Sequence, residues 1–318
     1  MSRISVLNAV LVVTALVLSV VGAWYGGAPP TAVAVHGARH DVVELADGRR
    51  AVLDSRGEAV PLADYQRILS VGLIADHVAL ELCEPERVVG FSTFSVGRDA
   101  RRIGQRPRLE GLRSLEAALA LKPDLVLLSG YPGDVSKIAR LREQGIQVFD
   151  GGSAHGLATL RADIEAMGLL LGAGDEARRL ADRTERRMRL CAVDLPKDYP
   201  RRRGVVLTTY GGLLFGGTRA TNGIASSYHD VLVSAGIDDV IENRFDTPWP
   251  QVSAELIRSL APDVIVTRIG MAPDLKRHSG LQNLELEIIE VSSGLLEHPG
   301  PPMADAADEL FRLAYPDL

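Results

Sequence analysis

The chain has 318 residues, with 35 Lys and Arg against 41 Asp and Glu, a formal net charge of −6 at pH 7. This acidic balance excludes the broad positive surface of a nucleic-acid-binding protein. Hydrophobic residues make up 46% and charged residues 24% of the chain, which is the composition of a globular protein with room for two domains.

The first 25 residues are predicted to be a signal peptide or a transmembrane anchor. Residues 4–25 form an uncharged, nearly continuous apolar run, long enough to cross a bilayer core that needs about 20 residues. Small residues near Gly22 also suit cleavage of a secretory signal. Both alternatives predict export of the remaining chain. Neither cysteine lies just after the run, so a lipid-anchored mature terminus is excluded.

Residues 26–66 are interpreted as a linker followed by a β-hairpin. The linker carries two consecutive prolines, and the hairpin pairs residues 42–45 with residues 50–53 around an Asp-Gly turn. A first lobe is predicted over residues 67–156, opening with a βαβ unit. Its predicted elements are a strand at 67–71, a helix at 74–82, a strand at 87–91, a helix near 135–144 and a strand at 146–149.

A helix-then-strand pattern occurs twice in the chain, 139 residues apart (253 − 114). Residues 114–124 and 253–263 carry Ser, Glu, Leu, Pro and Asp in the same register, and an apolar run follows each. The pattern predicts a helix capped by serine that ends before Pro-Asp, followed by a strand buried on both faces. Two such units at this separation predict two similarly built α/β lobes with a ligand cleft between them.

Residues 157–192 are predicted to be a long connecting helix between the lobes. Leu160, Ile164 and Met167 recur at helical spacing, and residues 176–190 are charged and helical in pattern. The second lobe is predicted over residues 193–318. It begins with a strand at 204–207, contains the second copy of the repeat and a strand at 287–291, and ends with a helix at 303–314.

The sequence lacks the usual motifs of catalysis and metal binding. It contains no Gly-x-Ser-x-Gly, no P-loop, no His-Glu-x-x-His and no cysteine pair at ligand spacing. We therefore expect no enzyme activity, no catalytic residue, no resident metal and no cofactor. His229 is the most suggestive histidine, and its place at a predicted helix start favours a first-turn polar role over metal ligation.

Three residues of the repeat and its surroundings have two interpretations each. Glu116 and Glu255 follow their helix caps at equivalent positions, where a carboxylate stabilises the helix dipole. As a pair, they could also dock on a two-fold partner that carries arginine pockets. Trp249 stands between two prolines that restrict its backbone. Its indole is either a flat surface for a ligand or packed against its own lobe.

From residue 67 to the C-terminus the chain resembles the substrate-binding proteins of ABC importers for metal chelates, the iron-siderophore, haem and cobalamin group. The similar segments are residues 67–70, 87–90, 114–126, 235–236, 248–253, 298–299 and 313–316. The resemblance implies an α/β fold of two lobes, joined by a long connecting helix and closing little on binding. Pro-Trp-Pro-Gln-Val-Ser at 248–253 is most similar to the cobalamin-binding branch, in which this Trp lies against the corrin.

Two departures concern the ligand. The cobalamin branch has a second Trp shortly before its first-lobe glutamate, and the haem branch tends to have a Tyr ligand there. This chain has Arg-Pro-Arg-Leu-Glu-Gly at 106–111 instead. The arginines of this neighbourhood suit an anionic ferric chelate; they are Arg98, Arg101, Arg102, Arg106 and Arg108.

The resemblance implies an exported, monomeric receptor in the periplasm or on the outer face of the cytoplasmic membrane. It would capture a metal chelate and deliver it to an inner-membrane ABC permease dimer. Glu116 and Glu255 of this chain would engage arginines of that dimer. Residues just past strand ends are expected to bind the chelate. They are Phe91, Ser92, Phe94, Tyr131, Tyr210, Phe215, Arg219, Trp249 and Arg268.

Two alternatives to this function are considered. A membrane-anchored sensor or accessory subunit would use the same fold without transport. A metallocluster enzyme would need Cys or His ligands that converge on the cleft.

Cys83 is predicted on the helix behind the first strands and Cys191 at the far end of the connector. Both thiols are expected to be free, because a disulfide needs Cα atoms within about 7 Å.

Overall fold

A computed structural model describes residues 40–94, 100–130, 133–278, 280–282, 287–292 and 300–318. The N-terminal apolar run, Arg98, Tyr131 and residues 298–299 lie outside the described residues, so the predictions made for them are not tested. None of the helices in the described ranges combines the length and the apolar character that a bilayer crossing requires.

The predicted hairpin is confirmed as two strands of a small antiparallel sheet, β1 (Val42–Glu44) and β2 (Arg50–Leu53). A third strand, β3 (Ala59–Pro61), pairs with β2 and was not expected from the sequence. The turn between β2 and β3 binds the first lobe, because Arg56 Nε donates to Asp150 Oδ2 at 2.8 Å.

The first lobe is built on a parallel sheet with the order β6-β5-β4-β7-β8. The predicted βαβ opening is confirmed, and the later helix and strand lie close to their expected positions. The elements are β4 (Ile68–Val71), α1 (Leu73–Leu82), β5 (Val88–Ser92), α2 (Ala100–Ile103), β6 (Arg108–Leu109), α3 (Leu115–Ala120), β7 (Leu125–Gly130), α4 (Val135–Glu143) and β8 (Gln147–Ser153).

The prediction of one long connecting helix is wrong, because the segment folds as two antiparallel helices. They are α5 (Leu157–Leu170) and α6 (Gly174–Leu190). Gly172 has a φ of +77° in the turn between them, a conformation that favours glycine. Gly168 then allows close packing, since a Cβ there would lie 2.1 Å from that of Ala177. Arg161 of α5 donates to Glu185 of α6 at 2.7 Å.

The second lobe has a mixed sheet with the order β12-β10-β9-β13-β14, and β11 pairs with the start of β9. Strands β9, β13 and β14 are parallel, and β10 forms an antiparallel hairpin with β9. The elements are β9 (Arg203–Tyr210), β10 (Leu213–Gly217), α7 (Ser227–Ser234), β11 (Asp238–Asp239), β12 (Gln251–Val252), α8 (Ala254–Leu260), β13 (Val264–Arg268), α9 (Ala272–Arg277), β14 (Glu287–Val291) and α10 (Met303–Ala314).

Both copies of the repeat have the predicted structure. Ser114 caps α3 by accepting a hydrogen bond from Ala117 N at 3.2 Å, and Ser253 caps α8 through Leu256 N at 3.1 Å. The strands that follow, β7 and β13, are buried along almost their whole length. The repeat therefore marks equivalent helix–strand units in the two lobes.

The largest hydrophobic cluster of the described residues connects the two lobes through the helices between them. It includes Phe149 of the first sheet, Ile164 of α5, Leu180 of α6 and Val206 of the second sheet. Among the same residues, two smaller clusters lie apart from it, one in each lobe. Since burial of apolar surface is the main stabilising contribution to folding, the shared cluster holds the lobes in a fixed arrangement.

Both cysteines are free, as predicted. Cys83 directly follows α1 and Cys191 directly follows α6. Burial raises the pKa of Cys83 to about 11 and that of Cys191 to about 12. Neither thiol therefore ionises appreciably near neutral pH.

Candidate functional site

The carboxyl ends of the parallel strands in the two sheets meet at the junction between the lobes. Asp230 in the first turn of α7 accepts a hydrogen bond from Leu157 N, the first residue of α5 after β8, at 2.6 Å. Gly300, just before α10, packs on the first turns of α1, where a Cβ would lie 3.3 Å from His77. Open α/β sheets bind ligands at this edge, so the junction is the candidate binding cleft.

The β9–β10 hairpin supplies an exposed apolar surface at this edge of the second lobe. Gly211 and Gly212 form a two-residue turn, with φ values of 59° and 79° that suit a type I′ turn. The side chains on either side of the turn are exposed, Tyr210 at 82% and Leu213 at 46%. Phe215, two residues further along β10, is half-buried. The hairpin thus presents Tyr210 to solvent.

Trp249 packs on its own lobe and still exposes part of its indole. Its ring meets that of Tyr228 edge to face, with centroids 4.6 Å apart, and the residue remains 42% exposed. The loop around it is held against β10, because Pro248 O accepts from Thr218 N and Pro250 O from Gly216 N. The packing interpretation is therefore confirmed for the ring edge that meets Tyr228, and the role of the exposed part as a ligand surface stays a prediction.

Arg219 belongs to the loop that leads from β10 to α7, beside the Trp249 loop. Its Nε lies 3.2 Å from His229 Nε2 and 3.5 Å from Glu242 Oε1, and 44% of its side chain is exposed. His229 lies in the first turn of α7, as predicted, and its backbone nitrogen donates to Ser226 Oγ. Its ring is buried and bonded to Asp239, a contact that the sequence did not indicate.

Arg268 ends β13 and is half-buried, with the exposed Ile269 next to it. Because β13 is parallel to β9, this end lies at the same edge of the sheet as Tyr210. Ile269 is 55% exposed, and the sequence analysis did not include it among the candidate binding residues. Its place as an apolar residue directly after a buried strand could have indicated it.

In the first lobe, the expectation that Phe91 and Ser92 bind a ligand is not supported by their positions. Phe91 is 1% exposed within the shared core. Ser92 is fully buried, and its hydroxyl donates to Asp76 Oδ2 at 2.5 Å. Phe94 lies beyond the end of β5 and is 40% exposed. Among the described candidates of this lobe, Phe94 alone offers accessible surface.

Two of the first-lobe arginines that were expected to suit an anionic chelate form hydrogen bonds within their own lobe. Arg102 Nη1 donates to Glu81 at 2.7 Å, and Arg106 donates to the carbonyl oxygens of Ile103 and Pro85 at 2.9 Å. These contacts hold both guanidinium groups on the surface of the lobe.

Glu116 and Glu255 are exposed in the first turns of α3 and α8. Helices that connect parallel strands run against them, so both turns lie at the carboxyl edges of their sheets. Glu255 also pairs with Arg258 at 3.1 Å, an exposed contact that contributes little stability. The two carboxylates thus occupy equivalent places, one in each lobe.

The described residues contain no group of three or more His, Cys, Asp or Glu side chains arranged to hold a metal ion. The candidate cleft instead offers aromatic faces, apolar side chains and a guanidinium group. Such groups bind a ligand through its surface and charge, so the arrangement suits binding of a preformed molecule.

Two curated relatives align with about two thirds of this chain. One is an uncharacterized ABC transporter substrate-binding lipoprotein, YvrC, from Bacillus subtilis, 24% identical over 214 residues. The alignment covers 64% of this chain and 66% of that protein. The other is a cobalamin-binding protein from Halobacterium salinarum, 28% identical over 223 residues, covering 68% of this chain and 58% of the relative. The chain thus spans somewhat less than two thirds of the relatives' length.

Solved structures share the fold at low sequence identity. A periplasmic heme binding protein from Pseudomonas aeruginosa has a TM-score of 0.67 and 23% identity, covering 79% of this chain and 93% of that one. A possible iron-binding, periplasmic solute-binding protein from Staphylococcus epidermidis has a TM-score of 0.61 and 18% identity, covering 80% and 100%. The model of the periplasmic binding protein family matches residues 71–286, more than half of the chain. The chain belongs to the periplasmic binding protein family.

Proposed function

We propose that this protein is an exported substrate-binding protein that holds a metal chelate between its lobes and delivers it to an ABC import permease. The observation that carries the proposal is the surface of the second lobe, where Trp249 exposes part of its ring in the loop joined to that of Arg219, and Tyr210 exposes its ring at the turn between β9 and β10. Aromatic faces suit the flat organic part of a chelate, and a guanidinium suits an anionic group. Phe94 adds an exposed ring from the first lobe.

The shared core supports a mechanism of binding and release with little closure. The core cluster runs through the helices between the sheets, so movement of one lobe against the other would disturb packed side chains. We propose residues 67–156 and 193–318 as the two lobes. The cleft between them would be largely formed before the ligand arrives, which lowers the free-energy cost of ordering on binding.

Delivery requires a surface that a permease recognises, and Glu116 and Glu255 are our proposal for it. The two carboxylates are exposed at equivalent places in the two lobes, which suits a two-fold permease dimer with basic pockets. The receptor would act as a monomer outside the cytoplasmic membrane, with residues 4–25 serving as signal or anchor.

The direct test is titration of the full-length chain with haem, cyanocobalamin and ferric citrate, followed by calorimetry and visible absorption. We expect saturable binding of one chelate class, weakened by Tyr210→Ala. Tyr199→Ala is the matched control, since Tyr199 is also an exposed tyrosine but packs on Tyr315 after α10. Absence of binding for all three classes would contradict the proposal.

A further inference from the structure

The ring of His229 lies between a buried carboxylate and a half-exposed guanidinium. Its Nδ1 is 2.8 Å from Asp239 Oδ2, and its Nε2 is 3.2 Å from Arg219 Nε. The side chains of His229 and Asp239 are 1% and 0% exposed, whereas that of Arg219 is 44% exposed. A buried pair thus lies behind a partly exposed arginine, in the loop that adjoins the Trp249 loop.

The hydrogen bonds of Asp239 fix the tautomer of His229. Asp239 also accepts from Thr218 Oγ1 at 2.6 Å and from Ile241 N at 3.0 Å. An ionised Asp239 accepts in all three of its hydrogen bonds, so in the bond with His229 the proton is on His229 Nδ1. In the neutral ring Nε2 is then an acceptor, and Arg219 Nε can only donate. The observed distance is therefore a bond from Arg219 to His229.

We propose that His229 and Asp239 are positioning residues that orient Arg219 toward a carboxylate of an anionic metal chelate. The inference rests on the proposed function and names the ligand class, a chelate with ionised carboxylates. Nε is engaged by His229, which leaves the two terminal nitrogens of the guanidinium for a bidentate bond. The Arg219 loop is also joined to the Trp249 loop, through Thr218 N to Pro248 O at 3.0 Å. A ring and a cation are thereby held side by side.

The same arrangement makes the affinity for an anionic chelate depend on pH. The ionisable groups that face His229 are Asp239, Arg219, Glu242 and, on its own helix, Asp230. Protonation places a hydrogen on Nε2, so two donors face each other and Arg219 loses its acceptor. Glu242 Oε1, 3.8 Å from Nε2, then becomes the acceptor for the imidazolium. Affinity for an anionic chelate should therefore be lower when His229 Nε2 carries a proton than when it is free to accept.

The test uses the full-length chain with haem, which carries two carboxylates, and with haem dimethyl ester, in which both are blocked. We expect Arg219→Gln to weaken haem binding roughly tenfold or more, the size of a hydrogen bond between charged groups, and to weaken ester binding much less. In Asp239→Asn, the amide NH2 group of the new side chain would donate to His229 Nδ1, and the ring proton would move to Nε2. This variant should therefore also weaken haem binding more than ester binding. Circular dichroism and thermal melting establish that each variant folds.

The His229 variants separate positioning from packing. His229→Gln retains a carbonyl acceptor that does not titrate, and should restore haem affinity relative to His229→Ala. The difference in haem affinity between pH 8 and pH 6 should also be smaller in His229→Gln than in the unmodified chain. The difference that remains in the variant comes from haem itself. A pH dependence that is equal in His229→Gln and the unmodified chain would overturn the inference.

Failure of the inference is distinguishable from failure of the proposed function. Saturable binding of cyanocobalamin, which has no net charge, without binding of haem or ferric citrate would overturn the inference and leave the proposed function intact. Equal losses for haem and its ester in Arg219→Gln would also overturn it. Absence of binding for every chelate would refute both.

Discussion

The carboxylate of Asp230 accepts a hydrogen bond from the backbone nitrogen of Leu157 at 2.6 Å, and so joins the second lobe to the start of α5. Gly156, the residue before this helix, has a φ of +57°, and a Cβ there would lie 1.9 Å from Asp230 Oδ2. The close approach of the two lobes at this point therefore depends on a glycine and a carboxylate together.

The first prediction concerns Asp230. Burial raises the pKa of this carboxyl, although the hydrogen bond from Leu157 acts in the opposite direction. The folded pKa thus exceeds the unfolded value of about 3.9, so the favourable contribution is complete below that value and is lost as pH rises through the folded pKa. Asp230→Asn retains an acceptor and cannot ionise, so its stability relative to the unmodified chain should increase from pH 4 to pH 7.

Urea unfolding of both proteins at the two pH values measures this difference. Asp230→Ala is the control, because it leaves Leu157 N without its acceptor and should lose about 1–3 kcal/mol of unfolding free energy. A relative stability of Asp230→Asn that is constant or decreases between pH 4 and pH 7 would show that burial does not dominate at this carboxyl.

The second prediction uses Trp249 as a reporter. Trp24 and Trp249 are the only tryptophans, so the full-length variant Trp24→Phe emits from Trp249 alone. A coloured chelate bound at the junction should quench this emission, and Trp249→Ala should weaken its binding by about 1–3 kcal/mol, the contribution of a buried aromatic contact. Tight binding in calorimetry with unchanged emission would assign the indole to packing alone.

The third prediction concerns docking on the permease. The double variant Glu116→Arg, Glu255→Arg should abolish chelate uptake in cells, because like charges would then face each other, while chelate affinity in solution stays nearly unchanged. Glu143→Arg is the matched control, since Glu143 is exposed at the C-terminal end of α4, away from the carboxyl edge of its sheet. Normal uptake by the double variant would show that the glutamates act only on their helices.

The fourth prediction concerns the thiols. Since burial raises the pKa of Cys83 and Cys191, both should react slowly with a thiol-specific disulfide reagent at pH 8 in the folded protein. Two thiols should react rapidly in denaturant without a reductant. Recovery of fewer than two would indicate a disulfide or an oxidised cysteine.

The sequence predicted the repeated helix–strand units because their signals are local. A serine cap and a Pro-Asp stop act within a few residues, and a buried parallel strand is apolar along its whole length. The hairpin was predicted for the same reason, from an Asp-Gly turn. Strand β3 was missed because it is short and ends at Pro61, a residue that disfavours strands.

Other features depend on contacts between residues that are distant in sequence. The connecting segment is helical in pattern on both sides of the Gly-Ala-Gly at 172–174, and the turn at Gly172 is stabilised by packing of Gly168 on Ala177, a contact that this pattern does not show. Ser92 was placed in the cleft because it follows an apolar strand, yet Asp76 holds it inside. The bond between His229 and Asp239 forms because β11 pairs with β9, a pairing without a local sequence signal.

The hydrophobic cluster that runs through both lobes has a consequence for how the protein can be divided. A fragment that ends between α6 and β9 would expose the apolar faces of α5 and α6 that now contact the second lobe. Neither half should fold separately, although the two halves expressed together could reassemble by burying the same surface. Heating should likewise melt both lobes in one cooperative transition, so a substitution in either lobe shifts the melting temperature of the whole molecule.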